Sequence, residues 1–127
     1  MDTLQQQAAG LFSIELSTEQ LSAFDRYTAE LTAWNAHTNL TAIIEPDAVR
    51  VRHFLDSLSV TQAVTFSPGQ RVIDVGTGAG FPGVPLAIVR PDIHVVLLEA
   101  TGKKIAFLDH LAGALGLRNV STLKARA

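Results

Sequence analysis

An acidic residue stands just before a run of glycines in the second half of the sequence. The segment reads Asp-Val-Gly-Thr-Gly-Ala-Gly-Phe-Pro-Gly from Asp74 to Gly83. Glycine admits positive φ and lets the backbone approach a ligand that a Cβ would repel, so Gly76, Gly78 and Gly80 predict a loop shaped around a ligand. Asp74 is expected either to organise this loop or to reach a cationic group of the ligand.

A second acid, Glu99, follows 23 residues after Gly76. It ends a predicted strand, where its carboxylate can accept hydrogen bonds from both hydroxyls of a ribose. An acid before a glycine loop and another at the end of the next strand are typical of S-adenosylmethionine-binding proteins. Gly78, Gly80 and Gly83 also match the Gly-x-Gly-x-x-Gly pattern of dinucleotide folds, so NAD stays an alternative ligand. For Glu99 alone, a solvated strand end is the other interpretation.

The elements around the loop alternate between strand and helix. The pattern predicts strands at 71–75, 94–98 and 119–123, separated by helices at 82–90 and 105–115. We interpret the first strand, which is rich in β-branched residues, as buried. This order is the first half of a doubly wound parallel sheet, so we expect an α/β, Rossmann-like fold over 67–127. Because no further strand follows, the chain is interpreted as a fragment of a longer protein.

Residues 1–66 predict a separate helical region. Ser17 and Gln20 fit a capping box, and one face of the helix that follows carries Leu21, Phe24, Leu31 and Trp34. Trp34 is therefore interpreted as a core anchor and not as a base-stacking platform. A second helix is predicted to start at Glu45-Pro46-Asp47 and to turn inward Val51, Leu55 and Leu58.

Composition limits the class of protein. The 127 residues are 47% hydrophobic and 17% charged, which favours a folded core over disorder. The absence of cysteine excludes disulfides and cysteine metal sites, and no metal is expected. Nothing resembles a secretory signal or a membrane span, so a soluble cytoplasmic protein is expected. The net charge of -2 conceals a basic last segment with Lys103, Lys104, Arg118, Lys124 and Arg126, for which a solvated surface is the simpler interpretation and a local basic face the alternative.

Taken together, these motifs make the chain similar to a known family. It resembles the RsmG family, also called GidB, which are bacterial methyltransferases that modify guanine N7 of small-subunit ribosomal RNA. The motifs that carry the resemblance are Trp34-Asn35, Asn39-Leu40-Thr41, Arg52-His53-Phe54-Leu55-Asp56-Ser57, the loop 72–83, Val89-Arg90-Pro91, Glu99 and Lys103-Lys104. The resemblance implies S-adenosyl-L-methionine as cofactor, and 16S ribosomal RNA or the small ribosomal subunit as partner.

The resemblance also implies roles for particular residues. Gly76 and Phe81 would contact the methionine end of the cofactor, the segment Glu99-Ala100-Thr101 its ribose, and Ala127 would begin the segment beside the adenine. No catalytic residue is assigned. A small adenosylmethionine-binding module without catalysis and an NAD-binding domain remain the alternative functions. As a fragment, the chain alone is expected to be catalytically silent.

Four polar residues of the second predicted helix allow two interpretations. On a regular helix Arg52 and Asp56 share one face, and His53 and Ser57 share another. From spacing alone, a surface ion pair beside a polar face is the simpler interpretation. The resemblance instead places all four at the RNA or cofactor cleft, with the helical region leaning over the glycine loop.

Overall fold

The computed structural model describes residues 3–42 and 45–127. Helices fill the first half of the chain, and strands alternate with helices in the second. The first half contains α1 (Leu4–Phe12), α2 (Thr18–Asn35), α3 (Pro46–Val49), a π-helical turn (Arg50–Leu55), α4 (Asp56–Leu58) and α5 (Val60–Ala63). The second half contains β1 (Arg71–Val75), α6 (Gly83–Val89), β2 (His94–Glu99), α7 (Gly102–Ala114) and β3 (Val120–Lys124). None of the helices described is long and apolar enough to cross a membrane.

The three strands form one parallel sheet in the order β1-β2-β3. Arg71 pairs with His94 at one end of β1, and Glu99 pairs with Lys124 at the opposite end of the sheet. The carboxyl ends of all three strands therefore meet at one edge, where ligands bind in open α/β sheets. The expected Rossmann-like arrangement is confirmed.

Capping boxes begin both long helices of the first half. Ser17 and Gln20 exchange side-chain and backbone hydrogen bonds of 3.1 and 2.8 Å, as the sequence predicts. Thr3 and Gln6 form the same box at the start of α1, which was not predicted. The Thr-x-x-Gln spacing is a usable signal for that helix.

The expectation that Val51 points inward is wrong, because its helix is not regular. A π-helical turn needs more residues per turn than an α-helix, which shifts the phase of the buried face. Leu55 and Leu58 are buried, as predicted, and Val49 and Phe54 are buried with them, whereas Val51 is 46% exposed.

One hydrophobic core runs through both halves. Phe24, Tyr27 and Leu31 from α2 belong to the same cluster as Leu97 of β2 and Phe107 of α7. Trp34 packs edge-on against Phe107, with ring centroids 5.7 Å apart, as a core anchor does. The division into regions 1–66 and 67–127 stays a prediction, and the two regions share their interior.

The interpretation of β1 as a buried strand is wrong for one of its faces. Ile73 and Val75 are each 55% exposed, and Leu123, which lies on the same sheet face, is 47% exposed. Helices α6 and α7 pack against β2 and β3. Within the described chain, β1 also has a strand partner on one side only, so an apolar face and a strand edge are both open.

This exposure predicts self-association. We expect the 127-residue chain to form oligomers in light scattering and to enhance the fluorescence of a dye for apolar surfaces. Changing Ile73 and Val75 together to threonine keeps β-branched residues on the strand and should reduce both signals. Val51→Thr, at a similarly exposed helical position, is the matched control and should leave them unchanged. A monomeric parent chain that binds no dye would contradict this prediction.

A carboxylate also links the two halves. Glu30 on α2 contacts His110 of α7 at 2.6 Å and Arg26 at 2.8 Å. Hydrogen bonds from His110 and then Arg26 hold the pKa of Glu30 below its ordinary value. A depressed carboxylate pKa stabilises the fold above the ordinary pKa of about 4.3, and this stabilisation is lost as pH falls through the lower folded-state pKa.

The pH dependence of Glu30→Gln follows from this sign. At pH 6 the substitution should lower the free energy of unfolding by under about 1 kcal/mol, as for other pairs near the surface. Towards pH 3 the difference should shrink, because protonation of the parent carboxylate as pH falls removes its hydrogen bonds with His110 and Arg26 as an ionised acceptor. Thermal melts followed by circular dichroism at both pH values measure the difference. A constant difference between pH 6 and pH 3 would exclude this contribution.

Candidate cofactor-binding site

Asp74 organises the glycine loop, which is one of the two roles predicted for it. Its Oδ2 accepts hydrogen bonds from the Thr77 hydroxyl at 2.6 Å and from the Gly83 backbone N–H at 2.9 Å. Burial raises the pKa of Asp74, and these two hydrogen bonds oppose that increase. One carboxylate therefore ties the end of β1 to the middle of the loop and to the start of α6.

The loop glycines are of two kinds. Gly76 and Gly78 have φ of +68° and +61°, and a Cβ added to either would meet no protein atom within 4 Å. At Gly80 an added Cβ would stand 2.6 Å from the Tyr27 hydroxyl, and at Gly83 it would stand 2.5 Å from Leu97. The space over Gly76 and Gly78 is open to a ligand. Gly80 and Gly83 leave room for the protein's own side chains.

Glu99 lies under the same loop. It is 7% exposed, which excludes a solvated strand end. Its Oε1 accepts from the Gly78 N–H at 3.1 Å, and its Oε2 accepts from the Thr101 N–H at 2.9 Å. Burial acts to raise the pKa of Glu99, but hydrogen bonds from Thr101 and Gly78, together with the charge of Lys104, keep the pKa below its ordinary value. Glu99 is thus held as a carboxylate, and each oxygen keeps a further lone pair.

A cavity of about 360 Å³ opens at the carboxyl edge of the sheet. Of the predicted cofactor contacts, Gly76, Glu99, Ala100 and Ala127 line it. The remaining lining residues are Val75, Leu98, Ala125 and Arg126, of which the sequence singled out only Arg126, for its basic charge. Gly78 and Thr101 do not line the cavity, but their backbone N–H groups donate to Glu99, which does. Gly80 and Phe81 lie on the other arm of the loop, which runs from Ala79 to Phe81, and Asp74 lies on β1 without lining the cavity.

The helical region leans over that arm, as expected. Phe81 stacks on two rings, His53 at 4.1 Å and 6° and Tyr27 at 5.2 Å and 3°. The Tyr27 hydroxyl donates to the Ala79 carbonyl at 2.7 Å. The ring of Phe81 is thus held by side chains of the helical region.

Residues of the sequence motifs form a connected path to this stack. Asn35 at the end of α2 accepts from the backbone N–H groups of Leu40 and Thr41 at 2.9 and 3.0 Å. The Thr41 hydroxyl lies 3.0 Å from Nε2 of His53. Asn35 thus supports the turn that places Thr41 against His53, and His53 in turn stacks on Phe81 of the loop.

The four polar residues around the π-helical turn have different surroundings. Arg52 and Asp56 are exposed, and no ion pair described in the structure joins them. His53 is half-buried, and its pKa is lowered by burial first and then by the charge of Arg52, against an opposing effect of Asp56. Ser57 is 3% exposed and lies in the interior. The simple surface ion pair is therefore not what the structure shows, and His53 is the member that meets the loop.

The basic residues of the last segment are divided between the two ends of the sheet. Arg126 lines the cavity, the charge of Lys104 acts on Glu99, and the Lys124 ammonium lies beside Gly102 at the start of α7. Arg118 precedes β3, at the amino edge of the sheet. The cations at the same edge of the sheet as the cavity are therefore Lys104, Lys124 and Arg126.

Two further features lie away from this edge. A larger cavity of about 800 Å³ is lined by residues of α1, α2, α3 and the π-helical turn, among them Thr28, Asp47 and Arg50, and none of the predicted cofactor residues takes part. Over residues 3–42 and 45–127, no three His, Asp or Glu side chains gather as a metal site would require. The open glycines and the buried carboxylate identify the smaller cavity as the candidate site.

Solved structures share this fold. A SAM-dependent methyltransferase from Aquifex aeolicus is 29% identical with a TM-score of 0.50, over 61% of this chain and 42% of that one. The YcgJ protein from Bacillus subtilis has the same TM-score at 22% identity, over 57% of this chain and 30% of that one. The second likeness concerns the fold alone.

Relatives in sequence carry one name. The proteins called ribosomal RNA small subunit methyltransferase G are 48% identical in Roseiflexus sp. strain RS-1 and 41% identical in Clostridium perfringens strain 13. The matches cover 94% and 98% of this chain and 50% and 52% of those proteins. The chain thus spans about half the length of the curated relatives it matches. The family model described as rRNA small subunit methyltransferase G matches residues 20–127, and the chain belongs to this GidB family.

Proposed function

We propose that the chain contributes the S-adenosylmethionine site of an enzyme that methylates guanine N7 in 16S ribosomal RNA. The observation that carries the proposal is the buried Glu99 carboxylate, held by the backbone of the glycine loop beside an open cavity. A ribosomal substrate implies a cytoplasmic location.

The residues present suit an adenosyl cofactor. Each oxygen of Glu99 accepts one backbone N–H and can accept one ribose hydroxyl besides. Gly76 and Gly78 leave open backbone for the methionine end, where Phe81 would also contact it. Ala100 and Thr101 would continue the ribose contact, and Ala127 would lie towards the adenine. Gly80 would affect cofactor binding indirectly, because its lack of a side chain lets the loop pack against Tyr27.

The reaction places few demands on acid–base groups. When bound, S-adenosylmethionine supplies an activated methyl on its sulfonium. Guanine N7 has an in-plane lone pair and no proton to remove, so the side chains need to align the base and no general base is required. We therefore assign this chain's residues to binding and orientation, and name none as a proton acceptor.

RNA would approach over the rim of the cavity. Lys104, Lys124 and Arg126 lie at the carboxyl edge, where they can meet phosphates, and Arg52 stands exposed near His53. The target guanine would be turned out of its stack to reach the cavity. Asp56 and Ser57 would support this side of the cleft from α4, which directly follows the π-helical turn.

Ligand class is tested by titration calorimetry. We expect S-adenosylhomocysteine to bind and NADH not to bind, and preference for NADH would reject the adenosylmethionine site. Catalysis is tested in a chimera in which these residues replace the matching half of the Roseiflexus relative. Labelled methyl should enter 16S RNA in small subunits at guanine N7. Binding without transfer in an otherwise folded chimera would leave a binding module and reject the methyltransferase proposal.

A further inference from the structure

The glycine loop is held from above by one side chain of the helical region. Tyr27 is fully buried on α2, and its hydroxyl donates to the Ala79 carbonyl across 52 residues of sequence at 2.7 Å. A buried carbonyl oxygen in a loop needs such a donor, because leaving it without a partner costs the full desolvation of the group. The contact joins the first half of the chain directly to the loop.

The ring of Tyr27 fixes the same arm by packing. It lies parallel to Phe81 at 5.2 Å, and Phe81 also stacks on His53 at 4.1 Å. Its hydroxyl also fills the space where a Cβ of residue 80 would stand, 2.6 Å away. The absence of a side chain at Gly80 is therefore matched to Tyr27.

The hydrogen bonds inside the glycine loop also involve the Ala79–Phe81 arm. The N–H groups of Gly80 and Phe81 both donate to the Thr77 carbonyl, at 3.0 and 3.1 Å, and Thr77 is bound in turn by Asp74. Gly78 lies between Thr77 and Ala79 and donates to Glu99 from the other side. A shift of the backbone at Ala79 would therefore displace the open glycines, because Gly78 directly precedes Ala79 and Gly76 lies three residues before it.

We infer that Tyr27 is a positioning residue, whose hydroxyl holds the Ala79–Phe81 arm in the shape that presents Gly76 and Gly78 to the cofactor. Tyr27 itself does not line the cavity. The expected effect on cofactor affinity rests on the proposed adenosylmethionine site, whereas the hold of Tyr27 on the loop rests on the contacts above.

The test compares Tyr27→Phe with Thr28→Val. The first variant keeps the stacked ring and removes the hydroxyl. The second removes a hydroxyl from the neighbouring residue of α2, where it donates only within its own helix, to the Phe24 carbonyl at 3.1 Å. Amide hydrogen exchange of the 127-residue chain reports local opening without any ligand.

In Tyr27→Phe we expect exchange at Gly80 and Phe81 to accelerate about tenfold or more, the size expected for stranding a buried acceptor. Exchange in β2 and α7 should match that in Thr28→Val. In the chimera with the Roseiflexus relative, Tyr27→Phe should weaken S-adenosylhomocysteine binding by about the same factor. Thr28→Val should bind like the parent.

Three results would overturn the inference. Equal exchange rates at Gly80 and Phe81 in the two variants would show that the Tyr27 hydroxyl does not hold the loop. Acceleration spread evenly through β2 and α7 would make Tyr27 an ordinary core residue. Local acceleration with unchanged affinity would show that the arm does not position the site. If the loop opens locally but the parent chimera binds no S-adenosylhomocysteine, the proposed cofactor fails and the hold of Tyr27 on the loop is supported.

Discussion

Replacing Gly78 by valine should abolish S-adenosylhomocysteine binding while leaving the helical content intact. Nothing in the protein lies within 4 Å of a Cβ at this position, so the new methyl groups would occupy space that we assign to the cofactor. We expect affinity to fall at least about a hundredfold, or about 2.8 kcal/mol at 1.4 kcal/mol per tenfold. Calorimetry on the chimera, with circular dichroism alongside, measures both quantities.

Backbone strain needs its own control in this experiment. Gly78 has φ of +61°, and a valine there is strained whatever the space around it. Gly116 at the end of α7 has φ of +66° and equally open surroundings, but it lies away from the carboxyl edge. Gly116→Val should therefore cost similar stability and keep cofactor affinity. Parent-like affinity in Gly78→Val would remove the loop from the binding site.

Substitution of Glu99 by glutamine should weaken binding at least several-fold, and substitution by alanine more. Hydrogen bonds to a charged acceptor contribute about 1.5–3 kcal/mol each, and the proposed site has two from the ribose. The structure adds a second reason. Both oxygens already accept backbone N–H groups, from Gly78 and Thr101, and an amide can accept through only one of its two atoms.

Glu30→Gln is the matched control for this prediction, since it neutralises a carboxylate on α2 away from the cavity. It should bind S-adenosylhomocysteine like the parent at neutral pH. Because the folded-state pKa of Glu99 is depressed, its stabilising effect should persist above the ordinary glutamate pKa and disappear as pH falls through the lower value. If both Glu99 variants bind like the parent, the carboxylate stabilises the glycine loop and does not bind the cofactor.

Much of the fold could be predicted because its signals are local. The capping box at Ser17, the three strands and the end of β2 at Glu99 follow from spacing and periodicity over a few residues. The loop-organising role of Asp74 is also local, since its partners Thr77 and Gly83 lie within nine residues. The π-helical turn was missed because no residue type marks the shift in phase that exposes Val51.

The sequence by itself therefore determined the alternation of strands and helices in the second half, the glycine loop and the two acids beside it. Only the tertiary structure decided which glycines face open space and which face Tyr27 or Leu97. It also decided that Ile73 and Val75 stay exposed and that His53 stacks on Phe81. The physical reason is distance along the chain, because these contacts depend on how segments tens of residues apart pack together, and a local pattern of residue types does not encode that packing.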